Sequence, residues 1–90
     1  MKIIKFKPNI FITKTNNEAI IILNGDTDVF WGMEGPLAYL VFTLFENNSI
    51  NIEDEILNML KEYEVSKSQL IDDIEDCFKT LVENGLAEYE

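Results

Sequence analysis

The apolar pattern changes at Gly35-Pro36, and this change limits the fold more than any other feature of the sequence. Before it come three short runs rich in β-branched and aromatic residues, a composition typical of strands: residues 9–14, 18–24 and 28–33. The turns between them, Asn16-Asn17 and Gly25-Asp26-Thr27, are too short to hold a crossover helix. The first part of the chain is therefore predicted to form a three-stranded antiparallel meander.

After Gly35, apolar residues recur at helical spacing in three segments. The first begins at Pro36 and ends at the polar triplet Asn47-Asn48-Ser49, and the second covers about residues 52–64. The third is bounded by an N-cap at Ser66 and by Gly85, which is placed for a left-handed C-cap. The sequence predicts an α+β fold that is winged helix-turn-helix-like, with a three-stranded antiparallel sheet followed by three helices.

The size and composition exclude several classes of protein. Ninety residues with a hydrophobic share of 47% suit a single domain, 1–90, and residues 1–8 are assigned as an N-terminal extension. The chain has neither His nor Arg, and Cys77 is its one cysteine. It therefore lacks the commonest general base and the commonest metal ligand, and Cys77 has no partner for a disulfide. We predict a non-enzymatic cytoplasmic protein without catalytic residues, metal, cofactor or membrane segment.

The net charge of −10 is unevenly distributed. Residues 1–33 carry four Lys against three acidic side chains, whereas residues 34–90 carry three Lys against fourteen. The third helical segment holds two Lys and five acidic residues, and phosphate contacts in DNA complexes depend on cations. Nucleic acid is therefore not predicted as a partner, although a winged-helix DNA-binding regulator stays open as an alternative. A small acidic adaptor or carrier protein is the other.

The third predicted strand carries aromatic side chains on both faces. Alternation places Trp31 and Met33 on one face and Phe30 on the other, which exceeds what burial of one face requires. These rings could simply cover the sheet. Alternatively, the last strand of a meander has an unpaired edge, to which an extended peptide or a second copy of the chain could add.

The order of these segments resembles the PqqD-like family, the recognition elements of pathways that modify ribosomally made peptides. The resemblance rests on the strand Val29-Phe-Trp-Gly-Met33, the segment Ile52-Glu-Asp-Glu-Ile56, and the closing run from Phe78 to Leu86. It implies that the chain binds the leader segment of a precursor peptide, which adds to the third strand beside the third helix. The other implied partner is a separate peptide-maturation enzyme, such as a leader peptidase, a cyclase or a radical enzyme.

The resemblance also implies contact residues. The expected leader-binding positions on the strand are Asp28, Val29, Phe30, Trp31 and Gly32. Those expected on the helix are Leu70, Asp73, Ile74 and Cys77, with Ile71 as an alternative groove-lining residue. A homodimer through the same strand edge would hide the site.

Overall fold

The computed structural model describes residues 1–16, 18–47 and 50–90, and its architecture is α+β. Its elements, in chain order, are β1 (Ile4–Phe6), β2 (Ile10–Asn16), β3 (Ala19–Asn24), β4 (Val29–Glu34), α1 (Pro36–Glu46), α2 (Ile52–Glu62), α3 (Lys67–Glu83) and β5 (Ala87–Tyr89). The predicted turn residue Asn17 and the predicted helix-ending residues Asn48 and Ser49 lie outside the described residues.

Strands β2, β3 and β4 form the predicted antiparallel meander, in the order β2-β3-β4. The loop from β3 to β4 folds back against the start of β2. The N–H of Gly25 donates to the carbonyl oxygen of Asn9 at 2.8 Å, and a Cβ at Gly25 would lie 2.9 Å from that oxygen. Glycine is therefore the residue that permits this close approach.

Helix α1 packs against one face of the meander, and α2 and α3 contribute side chains to the same buried core. In the cross-strand register, Ile20 pairs with Met33 and Ile22 pairs with Trp31. Ile20 and Ile22 are almost fully buried, so this is the inner face of the sheet. The large side chains that are nearly inaccessible come from all three helices, from the sheet and from the turn after α3: Ile22, Leu40, Val41, Ile56, Ile74, Phe78 and Leu86.

Both predicted caps of α3 are present. The Ser66 side chain accepts a hydrogen bond from the backbone N–H of Gln69 at 3.1 Å, which satisfies a donor in the first turn. At the other end, Gly85 has a φ of 74°, and the N–H of Leu86 donates to the carbonyl oxygen of Leu81 at 3.0 Å. This is the Schellman arrangement, and it turns the chain out of the helix into β5.

Two short strands were not predicted from the sequence. The N-terminal segment, which the sequence suggests is an extension, contains β1, and the chain continues beyond α3 into β5. These strands pair antiparallel, with Ile4 opposite Tyr89 and Phe6 opposite Ala87. Ile4 is buried, and the ring of Phe6 packs edge-on against Phe45 of α1 at a centroid distance of 5.6 Å. The segment is thus part of the packed fold.

Candidate functional site

Strand β4 has a free edge. Within the described residues it pairs with β3 on one side and with no strand on the other. In register with this ladder, the N–H of Gly35 donates to the carbonyl oxygen of Glu18 at 2.7 Å. Because hydrogen-bonding direction alternates along an antiparallel strand, the backbone groups of Phe30, Gly32 and Glu34 point to the free edge. The edge therefore offers three N–H and three C=O groups to an incoming strand.

The side chains of β4 alternate between two environments, as the sequence predicts. Trp31 and Met33 are half-buried on the inner face, opposite the core residues Ile22 and Ile20. Phe30 lies on the outer face and is 67% exposed. A strand added to this edge would therefore have neighbours on both of its faces.

A groove of about 460 Å³ lies between the inner face of β4 and α3. Its floor is apolar, with contributions from the core, from β4 and from Leu37 at the start of α1. The lining residues are Ile22, Trp31, Gly32, Met33, Glu34, Leu37, Asp73, Asp76, Cys77, Thr80, Leu81, Asn84 and Leu86. The groove thus runs beside the strand edge that is open to hydrogen bonding.

Carboxylates supply the charge at this groove. Asp73 and Asp76 stand on α3 and are both exposed, whereas Glu34 borders the groove at the edge of β4 and by strand alternation its side chain lies on the outer face. The side-chain amide of Gln69 donates to Asp73 at 2.8 Å and orients that carboxylate. Of the described residues that line the groove, none is basic. The site has the form of an apolar channel with a negative rim, which suits a ligand that combines apolar and cationic side chains.

Cys77 is half-buried in the groove wall. Burial raises the pKa of its thiol to about 11, because the thiolate is poorly solvated there. The side chain is therefore a neutral, apolar wall element at physiological pH and a weak nucleophile.

The structure separates the residues that the sequence analysis grouped together. Trp31, Gly32, Asp73 and Cys77 line the groove. The remaining expected positions do not line it: Asp28, Val29, Phe30, Leu70, Ile74 and the alternative Ile71. The first three belong to the start of β4 and the turn before it, whereas Leu70 and Ile74 are buried in the core.

Several residues that line the groove were not among the positions expected from the sequence. For those on α3, the sequence does contain a pattern that indicates them. The core stripe of this helix includes Leu70, Ile74 and Phe78, whereas the groove stripe includes Asp73, Cys77 and Thr80. Both stripes have helical spacing. Asp73 and Cys77 each come one position before a core residue, so the two stripes lie on neighbouring faces of the helix. The apolar stripe therefore predicts only the face of α3 that packs in the core. The neighbouring stripe, which mixes polar and apolar residues, is the one that lines the groove.

A second cavity, of about 500 Å³, lies between α1 and α2 near the start of β3. Two of its lining residues are hydrogen-bonded to each other: the hydroxyl of Tyr63 donates to Oε1 of Glu18 at 3.0 Å. This hydrogen bond to the carboxylate raises the pKa of Tyr63 above its ordinary value. This hydrogen bond joins the C-terminal end of α2 to Glu18, the residue before β3.

Residues 1–16, 18–47 and 50–90 contain no group of three or more His, Cys, Asp or Glu side chains placed to hold a metal ion. Over the same described ranges, no helix combines the length and apolar character that crossing a membrane requires.

Comparison with known proteins gives a likeness in fold to a solved structure. No protein-family model matches the sequence, and no curated protein sequence matches it. A solved structure described as "Lasso peptide synthetase B1 complexed with the leader peptide" is similar over 94% of this chain and 96% of that chain, with a TM-score of 0.79 and 24% sequence identity. This likeness establishes the fold, and it is consistent with the resemblance to the PqqD-like recognition elements. The chain therefore has the fold of a protein that was solved in complex with a leader peptide.

Proposed function

We propose that this protein binds the leader segment of a ribosomally synthesised precursor peptide by strand addition to β4. The observation that carries the proposal is the open edge of β4 beside an apolar groove with a carboxylate rim. The structural relative, whose solved structure contains a leader peptide, supports the same function.

Strand addition explains both affinity and selectivity. The backbone of the leader pairs with Phe30, Gly32 and Glu34, which contributes hydrogen bonds that depend little on sequence. Alternate side chains of the leader enter the groove, where Trp31 and Leu37 offer apolar contacts. A Lys near such an apolar residue would lie close to the carboxylates of the rim. The favoured leader thus combines apolar residues with lysine.

In this proposal the domain itself does no chemistry. It holds the precursor so that a separate enzyme meets it at a high effective concentration. A leader peptidase, a cyclase or a radical enzyme would fill that role, as in lasso-peptide and related pathways. We also infer a cytoplasmic location, where such enzymes meet newly made precursors.

The β4 edge has a competing occupant, a second copy of the chain. Antiparallel pairing of two β4 strands would satisfy the same backbone groups and hide the groove. We propose that such a homodimer, where it forms, competes with the leader. Sedimentation should then show the dimer fraction falling as peptide is added.

Amide hydrogen exchange followed by NMR tests strand addition directly. The probe is a peptide selected against the full-length protein from a phage-displayed random library. In the free protein, we expect protected amides at Trp31 and Met33 and fast exchange at Phe30, Gly32 and Glu34. Peptide should slow exchange at the latter three by about tenfold or more, because they then donate into the new ladder.

Trp31, the only tryptophan, gives a second readout on the same titration. Saturating peptide that leaves both Trp31 emission and β4 exchange unchanged would show that binding occurs elsewhere. To identify the natural ligand, short genes next to this one are searched for the selected motif. We expect the motif in the N-terminal half of the peptide that one of them encodes. A selected motif absent from every such gene would contradict the assignment as a leader.

A further inference from the structure

The outer face of the meander continues up to the open edge. In register across the three strands lie two rows of outward-facing residues: Phe11–Leu23–Phe30 and Thr13–Ile21–Gly32. Phe30 is 67% exposed and Ile21 is 40% exposed. On the side opposite the groove, the face is therefore apolar around Phe30 and Gly32, and the exposed carboxylate of Glu34 follows at the end of β4.

Gly32 leaves a notch in this face. A Cβ placed on Gly32 would meet no atom within 4 Å. The notch is flanked by Phe30 two residues earlier on the same strand and by Ile21 on the neighbouring strand. The backbone groups of Gly32 also point to the free edge, so a residue of an added strand can stand directly opposite it. A glycine in a strand often marks a place where a ligand or another backbone approaches closely.

We propose that the strand bound to β4 carries a large apolar side chain, preferably aromatic, opposite Gly32 on the outer face. This inference rests on the function proposed above and adds a second specificity subsite to it. Residues directly opposite each other on paired strands project to the same face. The side chain opposite Gly32 therefore covers the notch, whereas the residues before and after it project into the groove.

Physical chemistry favours an aromatic side chain at this position. A ring opposite a strand glycine covers backbone that the glycine leaves open to water. Phe30 lies diagonally across from the incoming side chain, at a separation of about 7–8 Å that aromatic side chains bridge. The bound strand is thus recognised on both of its faces. Apolar residues and lysine contact the groove, and an aromatic ring covers Gly32 on the outer face.

The test is a double-mutant cycle on the full-length protein. The probe is the library-selected peptide shown by amide exchange to bind β4, in versions with each residue replaced by alanine. The protein variant is Gly32→Val, which fills the notch with a side chain that strands accommodate well. We expect Gly32→Val to weaken the aromatic peptide by about tenfold or more and the matching alanine peptide by about threefold or less.

Matched controls lie on the same two rows. Thr13→Val introduces the same side chain two strands away from the edge, about 10 Å from β4. Phe11→Ala and Phe30→Ala remove equivalent rings at the far and near ends of the other row. We expect Thr13→Val and Phe11→Ala to leave peptide affinity within about twofold, and Phe30→Ala to weaken it by about fivefold or more.

Two outcomes overturn the inference in distinguishable ways. If peptides protect the β4 edge but bind Gly32→Val as well as the native protein, the outer subsite is absent and the proposed function stands. If no selected peptide protects the amides of Phe30, Gly32 and Glu34, strand addition fails and the subsite fails with it.

Discussion

Trp31 and Phe30 are neighbours in sequence with opposite surroundings. Trp31 is half-buried beside the groove, whereas Phe30 is exposed on the outer face. The period of two in a strand is enough to predict that these rings face apart, and the structure confirms it. Which of the two faces is covered by helices does not follow from alternation, because both carry aromatic residues. That choice is set by where α1 and α3 pack.

The environment of Cys77 has a measurable consequence at the scale of one residue. Raising the thiol pKa from 9.0 to about 11 leaves much less thiolate at any lower pH. At about pH 8, we expect iodoacetamide to label the folded protein about 100-fold more slowly than the urea-unfolded chain. Mass spectrometry gives both rates, since Cys77 is the single cysteine.

The sign of the pH dependence follows from the direction of this shift. The folded-state pKa is raised, so Cys77 favours the folded state below pH 9.0, and this contribution is lost as the pH rises towards 11. Cys77→Ser should remove that loss of stability between these two pH values. Labelling at equal rates in the folded and unfolded states would show that the thiol is not buried as described.

At the scale of elements, length decided what could be predicted. The longer elements can be predicted from a repeated spacing of apolar residues or from capping residues, as Ser66 and Gly85 show for α3. The strands β1 and β5 have three residues each, which is too short for alternation to register. Their pairing depends on contacts between residues more than eighty positions apart. Such pairing becomes visible only when the fold is assembled.

The pairing of β1 with β5 predicts a stability effect. Ile4→Ala should lower the free energy of unfolding by about 2–5 kcal/mol, because it leaves a cavity in a packed site. Lys5→Ala is the matched control, since Lys5 is exposed on the same strand and should change stability by less than about 0.5 kcal/mol. Urea denaturation followed by Trp31 fluorescence measures both. Equal midpoints for the two variants would mean that β1 does not pack on the core.

At the scale of the whole molecule, the uneven distribution of charge along the sequence corresponds to two parts of the fold. Residues 1–33, with a net charge of +1, form nearly all of the meander, and the acidic residues 34–90 form the three helices, including the rim residues Asp73 and Asp76. Helix α3, which a winged-helix regulator would present to DNA, has five acidic residues and two lysines. This charge opposes phosphate binding and favours the Lys-bearing peptide proposed above. The fold class followed from sequence, whereas on α3 the expected positions were divided: Asp73 and Cys77 line the groove, and Leu70 and Ile74 lie in the core.

The charge on the rim predicts a dependence on salt. Raising NaCl from about 50 mM to about 500 mM should weaken a Lys-bearing, β4-binding peptide by about three- to tenfold, because the rim carboxylates are exposed and screened. The same peptide with Lys replaced by Gln is the control, and its affinity should change little. Fluorescence anisotropy gives both curves. If affinity fell equally with salt for the two peptides, the rim carboxylates would make no electrostatic contribution to binding. That result would not contradict strand addition.

The contact between β1 and β5 also bears on how the chain could be rewired. The N–H of Glu90 donates to the carbonyl oxygen of Ile3 at 2.9 Å, so these two positions are neighbours in space. A short linker between them, with new ends opened in the loop before β4, would give a circular permutant with the same contacts. In that protein the edge strand would come first in the chain. If that protein still bound peptide, the β4 edge would need its pairing with β3 but not the covalent turn that normally precedes it.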